Sequence, residues 1–589
     1  MKLSHNLFTK MHKAFLTILF LVFGYSSIQA GVTTSQVYRI VPVSAPTSSL
    51  MTKNSSLDSD ADVVMWAETD VASQQWIVGG SLPESVTLRN AYSRFYLGVS
   101  SISSGGNARQ VSTSGLGRQW VLEAVDESAN IYKVKQKSKA LYLTAPTCED
   151  GASLVLSGAT ESDTQLWKFV EVESKATFTA AMREEMMDAY IQKAVEKVGT
   201  TSRRTFVKGG WGESEQLEIV LDAYETTGRA DYLQLAKAVY NNFSTNVGNE
   251  WNKLVYTDNY HWFGHDFNDD VMWQIIAVAR LGLLANNSRY IQAAKKNFDI
   301  IYERAYIPFT GLMRWAESSG DPYGTNSCIA GPTEVAACYL GFAGCGEEYF
   351  EKARDLYAAQ RYALANNMST GKVWDSVVWD PETEKVKSKN EWASTYNQGT
   401  MLGAACMLYK YYGDTKYLND AKKIMTWTKN NLCDSHHIIN VCQGGDNADL
   451  YGFKGILMRY VRRFVRDCDQ KSYQKWMEEN AIHAYCNRSV EGVTPTGWLQ
   501  KGTAENTSND FSISTAASAA VNVIFPDDPP LPYEEKPLDD GVNQPVAQAL
   551  TYEGPIEYYD LTGRRLPKIL RHGTYIVRRG PFSQMIHKF

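Results

Sequence analysis

What the sequence lacks narrows its chemistry first. No apolar run approaches the roughly twenty residues that a helical membrane span needs; the run Ala14 to Phe23 is ten residues long. No Cys-x-x-Cys pair occurs among the nine cysteines, so a zinc ribbon or a thioredoxin-like centre is excluded. Gly-x-Gly-x-x-Gly, a Walker loop and a Gly-x-Ser-x-Gly elbow are all missing, which leaves nucleotide and serine-hydrolase chemistry without support. Neither sign of charge dominates. Lys and Arg number 59 against 65 Asp and Glu, a formal charge of −6, so general nucleic-acid binding is not expected.

What is abundant is aromatic: 34 Tyr and 15 Trp in 589 residues. Such rings are either core or a surface that stacks on something flat. At roughly 100–200 residues per domain the chain should hold three or more folded units. Lys10 and Lys13 precede the short apolar run, and small and polar residues then reach Ala30, the pattern of a secretory signal peptide over residues 1–30. No cysteine follows that run to support a lipoprotein anchor. Export to the periplasm, cell surface or medium is expected. Cys338 and Cys406 lie in small-residue helical patterns and read as buried thiols, while a Cys433–Cys442 disulfide is compatible with export.

Residues 36–172 are rich in Ser, Thr, Gly and Val, with short alternating runs that predict an all-β unit. Gln74-Gln75-Trp76, Arg118-Gln119-Trp120 and Gln165-Leu166-Trp167 close successive segments, their tryptophans 44 and 47 residues apart. Three repeats of that length fit a three-lobed barrel whose tryptophans share one core. These motifs resemble the ricin-type β-trefoil lectins, with Arg118 standing where the family has Gln. A structural β-domain without sugar affinity is the plainer reading, since no Asp-plus-aromatic pocket is evident in each lobe.

Residues 176–525 change to a helical period. Tyr190-Ala194-Val198, Tyr232-Ala236-Tyr240, Tyr290-Ala294-Phe298, Tyr349-Ala353-Tyr357 and Tyr417-Ala421-Met425 space residues at i, i+4, i+8, with Tyr473-Met477-Ala481 a weaker sixth copy. The intervals of 42, 58, 59, 68 and 56 residues each leave room for one more helix. Those intervening helices carry small-residue runs such as Val335-Ala336-Ala337-Cys338 and Gly403-Ala404-Ala405-Cys406, expected where a helix is packed on every side. Six outer and six inner helices predict an all-α (α/α)6 toroid. Residues 526–545 hold six prolines and six acids against one Lys, a stiff acidic linker. Residues 546–589 read as a small β tail. Its Tyr559-Asp560-Leu561-Thr562-Gly563-Arg564 resembles C-terminal sorting tails of secreted bacterial proteins, with a docking hairpin as the plainer reading.

In such a toroid every outer-to-inner loop falls at one end. Five of the six loops there bring large aromatics: Trp211; Trp262 and Phe263; Trp315 and Tyr323; Trp392 and Tyr396; and Trp498. Rings gathered in a groove suit a polysaccharide. Trp273, Trp427 and Trp476 instead read as helix packing. Asn268-Asp269-Asp270 opens an inner helix at the same end. Paired acids there usually complement the helix dipole, with Asn268 as cap. Beside Trp262 and Phe263, however, two adjacent carboxyls about 5–6 Å apart approach the spacing of a retaining glycosidase. The helix N-terminus would favour ionisation of one carboxyl, whose charge would keep the other protonated as the acid. His261 and His265 have metal-pair spacing but lack the Glu of His-Glu-x-x-His, so no metal or other cofactor is expected. Asp446 and Asp449 read as helix caps.

Phe267-Asn268-Asp269-Asp270-Val271-Met272-Trp273, Thr395-Tyr396-Asn397-Gln398-Gly399-Thr400 and Phe453-Lys454-Gly455-Ile456 together resemble family 76 glycoside hydrolases, endo-α-1,6-mannanases of (α/α)6 fold. The resemblance covers about 176–525. It implies retaining hydrolysis with Asp269 as nucleophile and Asp270 as acid/base. It also implies that Tyr396, Asn397 and Gln398 touch the sugar at the cleaved bond, with Trp211, Trp315 and Asn326 as further substrate contacts. The implied partners are α-mannan or manno-oligosaccharides. Two other readings stay open: a non-catalytic glycan-binding protein, and a different (α/α)6 sugar enzyme such as an unsaturated-uronide hydrolase or an epimerase. The last would call for an Arg/Lys cluster in the same loops, where only Arg203, Arg204, Lys208 and Arg314 occur.

Overall fold

The computed structural model describes residues 31–243 except 113–114, 175, 199, 201 and 207–209, residues 266–535 except 435 and 446, and four short strands between 557 and 588. The expected signal peptide lies outside the described residues, as do 536–556. The chain divides into two compact units, one built chiefly of residues up to Thr177 and the other from Phe178 onward.

In the first unit six antiparallel strands close on themselves. Val37–Pro42 pairs with Gln75–Ser81, which pairs with Ser85–Asn90, then Trp120–Asp126, Ile131–Gln136, Trp167–Glu171 and back to Val37–Pro42. Three hairpins complete it: Ser48–Thr52 with Val63–Ala67, Tyr96–Val99 with Ala108–Val111, and Tyr142–Thr144 with Val155–Ser157. The repeat visible in sequence is a repeat of packing. Trp76, Trp120 and Trp167 are fully buried in one core. Their indole N–H groups donate to the carbonyls of Leu50, Leu97 and Leu143 at 3.1, 2.9 and 3.0 Å, so each large ring is buried without an unpaired donor. Gln74 and Gln165 each bridge a local turn, accepting from Thr69 N and Thr160 N and donating to Ala67 O and Gly158 O. Arg118, in the middle repeat, lies over the Tyr96 ring instead.

The second unit contains twelve helices among the described residues: α1 Ala180–Ala194, α2 Trp211–Thr227, α3 Ala230–Phe243, α4 Asn268–Leu284, α5 Ser288–Ala305, α6 Ser327–Phe342, α7 Glu347–Ala363, α8 Thr395–Tyr412, α9 Thr415–Asn431, α10 Phe453–Asp467, α11 Gln474–Cys486 and α12 Ser514–Val521. The even-numbered helices form a closed inner ring, each packing on the next and α12 returning to α2. The odd-numbered helices lie outside them. The tyrosine stripes join neighbouring outer helices: Tyr240 meets Tyr290 at 4.6 Å, Phe298 meets Tyr349 at 5.5 Å, and Tyr357 meets Tyr417 at 5.3 Å between ring centroids. The small residues let inner helices approach closely. A Cβ on Gly403 of α8 would fall 2.2 Å from the Tyr460 ring of α10. Left-handed Gly228 and Gly413, at φ 67° and 68°, end α2 and α8, so their returns to the outer layer need only two residues. The opposite connections are long, and they converge where the inner helices begin.

The ring axis is ionic, which small-residue patterning did not suggest. Glu215, Glu218, Asp222 and Glu225 share one face of α2. Arg280 of α4 pairs with Glu218 at 2.9 Å and Asp222 at 2.8 Å; Arg459 of α10 pairs with Glu215 and Asp222, both at 2.7 Å. Arg462 reaches Glu225 at 2.8 Å. All seven are buried.

The segment expected to be a linker from 526 instead belongs in part to this unit. Asp528 pairs with Arg183 at 2.6 Å, and the buried Glu535 carboxylate binds Arg463 at 2.6 Å and Lys410 at 2.7 Å. Two of the acids expected in the linker are therefore paired with bases of the helical unit. All nine cysteines are free thiols, so the Cys433–Cys442 disulfide is not formed; Cys338 and Cys406 are buried, as their setting implied. In the tail the strands order as Arg565–Leu566, Glu557–Tyr559, Gly573–Arg579 and Phe582–Lys588, all antiparallel.

Breaking a buried pair costs more than breaking an exposed one, because the remaining partner keeps an uncompensated charge. Arg459→Met should therefore lower stability by about 3–5 kcal/mol. Arg229→Met, at the partly exposed Asp188 and Asp231 cluster, should cost under about 1 kcal/mol. Urea unfolding followed by far-ultraviolet circular dichroism distinguishes them, and equal losses would contradict the difference.

Candidate active site

The site is built where the inner helices begin. Phe267, not Asn268, is the N-cap of α4, and its side chain makes no capping bond. Asn268 is already helical and fully buried. Asp269 and Asp270 follow in the first turn, both partly buried. Asp269 Oδ2 accepts from the Trp315 indole at 3.1 Å, and Oδ1 is shielded from solvent. Burial pushes the Asp269 carboxyl up to about 6, against hydrogen bonds from Cys328 and Trp315 that favour its ionised form. The helix N-terminus thus does not keep this acid in its ordinary range. Burial and the Asp269 charge push the Cys328 thiol well above its usual value, so it stays a protonated donor.

Rings converge on this pair. Trp273, one helical turn after Asp269, is tilted against Trp211 at 6.2 Å and Tyr396 at 6.5 Å. Tyr396 packs on Phe453 at 4.0 Å, and Trp211 meets Phe453 at 6.0 Å and Phe511 at 5.2 Å. Trp211 donates its indole N–H to Asp449 Oδ1 at 3.0 Å. Asp449 therefore serves the Trp211 ring as well as standing near a helix start. Asp375 brings a third carboxyl to the same end. Burial raises it, Ser376 and Asn390 donate to it at 3.2 and 3.1 Å, and it lies near Cys328 and Tyr396.

Of the residues expected to bind substrate, Trp211, Trp315 and Tyr396 are brought to this end with Asp269 and Asp270. Asn326, the N-cap of α6, stands half-buried beside Ser376 in a short sheet that leads on to Asp375. Asn397 is fully buried beside Asp375. Gln398 is not presented: its amide accepts from Val373 N at 2.6 Å and donates to Gly371 O and to Thr428 Oγ1 of outer helix α9. It anchors α8 outward. Trp498 is also core, fully buried and bonded to Thr515 Oγ1 at 3.3 Å, and Tyr323 packs aside with Phe309. Trp262, Phe263, His261, His265, Asp446 and Lys208 lie outside the described residues. Arg314 is held by Glu317 at 3.5 Å.

Sequence reasoning missed Phe453, Cys328 and Asp375, whereas Trp273, read as helix packing, is buried against Trp211 and Tyr396. Phe453 stood within a recognised motif but was given no role there. Lys454, its neighbour, is buried with Nζ donating to Thr496 O at 2.6 Å and Ile439 O at 3.2 Å, which fastens the last two loops to the start of α10. Burial lowers it to about 7. Among the described residues, no group of three His, Cys, Asp or Glu is placed to hold a metal ion.

Comparison with known proteins bears on this architecture. No curated protein matches the chain. An α-1,6-mannanase structure from Salegentibacter sp. HEL1_6 is 23% identical, covering 58% of this chain and 99% of its own, with a TM-score of 0.49. A family 76 mannosidase from Bacteroides thetaiotaomicron VPI-5482 is 18% identical over 58% of this chain and 96% of its own, with a TM-score of 0.48. Assignment rests instead on the family profile described as glycosyl hydrolase family 76, which matches residues 174–534 and so takes in α1 to α12 and all but the last residue of the Asp528–Glu535 segment. By that match over more than half its length, the chain belongs to glycosyl hydrolase family 76.

Proposed function

We propose that the protein is an endo-acting α-1,6-mannanase that retains anomeric configuration, with Asp269 as nucleophile and Asp270 as acid/base. The observation that carries this reading is the adjacent pair Asp269-Asp270 at the start of α4, with Trp315 bonded to Asp269 and Trp211, Trp273, Tyr396 and Phe453 packed together nearby. Neighbouring side chains on a first helical turn support carboxyl separations near the roughly 5–5.5 Å of retaining enzymes. Asp269 would attack the anomeric carbon as Asp270 protonates the departing oxygen, and Asp270 would then deprotonate the water that releases the glycosyl group. Hydrogen bonds from Trp315 and Cys328 stabilise the carboxylate that must be charged to attack. The rings would stack on pyranose faces. The α-1,6 linkage rests on the motifs shared with the family. Engagement of Arg314 by Glu317 speaks for a neutral sugar over a uronide.

We further propose that the first unit is a β-trefoil of lectin type and that residues 1–30 direct export. The three equivalent Trp-to-carbonyl bonds support the trefoil, and the Lys10–Ala30 pattern supports export.

Wild type should release a ladder of manno-oligosaccharides from linear α-1,6-mannan. Asp269→Ala and Asp270→Ala should each lose at least about a hundredfold in kcat; full activity in either variant would remove these roles. With Asp269 at about 6, kcat/KM should fall about tenfold per pH unit well below pH 6, as protonation removes the nucleophile. A flat profile down to pH 4.5 would contradict that. Deleting 36–172 should weaken sedimentation with insoluble mannan and spare hydrolysis of soluble oligosaccharides; unchanged sedimentation would leave the first unit a structural domain.

A further inference from the structure

The segment that carries Trp315 is clamped to the start of α4 by a set of polar groups with no evident part in the chemistry. Asn268 donates from its backbone N–H to Trp315 O at 2.9 Å and from Nδ2 to Arg314 O at 3.1 Å. The same Nδ2 donates to Glu317 Oε1 at 3.0 Å, and Asn268 Oδ1 accepts from Arg304 Nε at 2.7 Å. Glu317 also pairs with Arg304 at 3.6 Å and Arg314 at 3.5 Å. Phe267 and Ala316 bridge as an antiparallel pair, and Glu317 N donates to Asp266 O at 3.0 Å. The segments 266–268 and 314–318 are thereby locked side by side.

A surface loop needs no buried Asn with three polar partners to stay folded. What the clamp fixes is the distance from the Trp315 indole to Asp269, since both hang from the two clamped segments. A single hydrogen bond of 3.1 Å weakens steeply if either segment slips. The geometry points to Glu317, acting through Asn268 and Trp315, as a positioning residue for the Asp269 carboxylate. Arg304, in the last turn of α5, and Arg314 hold Glu317 in turn, which gives both arginines a role other than binding an acidic substrate. This inference rests on the proposed role of Asp269.

The test compares Glu317→Ala, Glu317→Gln, Trp315→Phe and the double variant Trp315→Phe/Glu317→Ala in the full chain. Glu317→Ala should lower kcat on α-1,6-mannan by about tenfold or more with KM changed less than about threefold, and should move the acidic limb of the pH profile upward. Glu317→Gln keeps an acceptor for Asn268 Nδ2 and should stay within about threefold of wild type. Trp315→Phe removes the N–H and should shift the limb the same way; the double variant should lose no more than the worse single one, as expected of residues acting as one unit. Unchanged kcat and limb in Glu317→Ala, or fully multiplicative losses in the double variant, would overturn the inference.

A readout without substrate separates this from failure of the mannanase reading. Asp269 has a raised folded-state value, about 6 against an ordinary 3.8, so its ionisation opposes folding above pH 6 and has no effect below about pH 4. Asp269→Asn should therefore raise Tm only at the higher pH. In a Glu317→Ala background, the midpoint of that gain should move to higher pH. If it stays in place the clamp does not act on Asp269, whatever the substrate proves to be.

Discussion

The second unit depends on the pairing of one column of buried acids with arginines from two other helices. Glu215, Glu218, Asp222 and Glu225 of α2 point along the ring axis, and Arg280, Arg459 and Arg462 answer them from α4 and α10. Such a network adds little net stability over a well-packed apolar axis, yet tolerates no sliding, because a slip of one turn strands several charges at once. It therefore sets the relative height of α2, α4 and α10. These helices contribute Trp211, Asp269 with Trp273, and Phe453 to one cluster, so the charged axis fixes the level at which these side chains meet.

Electrostatics and burial then work against each other at Asp269. The carboxyl sits at a helix N-terminus, yet shielding from water pushes it up to about 6, and two donors pull it back. That balance suits the nucleophile role proposed for Asp269. Along the axis the same two effects divide: despite burial, Arg280 and Arg462 hold Glu225 at about 2, whereas burial pushes Glu215 up to about 7 against the pull of Arg459.

Much of this was legible. The i, i+4, i+8 tyrosine stripes mark outer helices because ring-to-ring contact around the toroid repeats with the helices themselves. That Asp269-Asp270 opens an inner helix was legible because the doubled acid stands directly before a long apolar helical run. The rest was hidden by context. Glu218 and Arg459 look like solvated surface until their partners, more than two hundred residues apart in sequence, are brought together. Glu535 looked like linker acid for the same reason, and its partner Arg463 lies on α10. Gln398 stood in the right motif but on the wrong side of α8, since a helix places successive residues about 100° apart and only one of Tyr396, Asn397 and Gln398 can face the aromatic cluster squarely. Trp498 was read as a groove ring from its loop position, where its buried indole bond to Thr515 makes it part of the wall.

The central chemical claim is that two adjacent carboxyls divide the work of a double displacement. Proton NMR of the anomeric signals during the first minutes of cleavage of linear α-1,6-mannan tests it most directly. A retaining centre gives the α-anomer first, with the β-anomer growing in only as free sugar mutarotates. A product that begins as the β-anomer would show direct attack by water, and Asp269 could not then be the nucleophile.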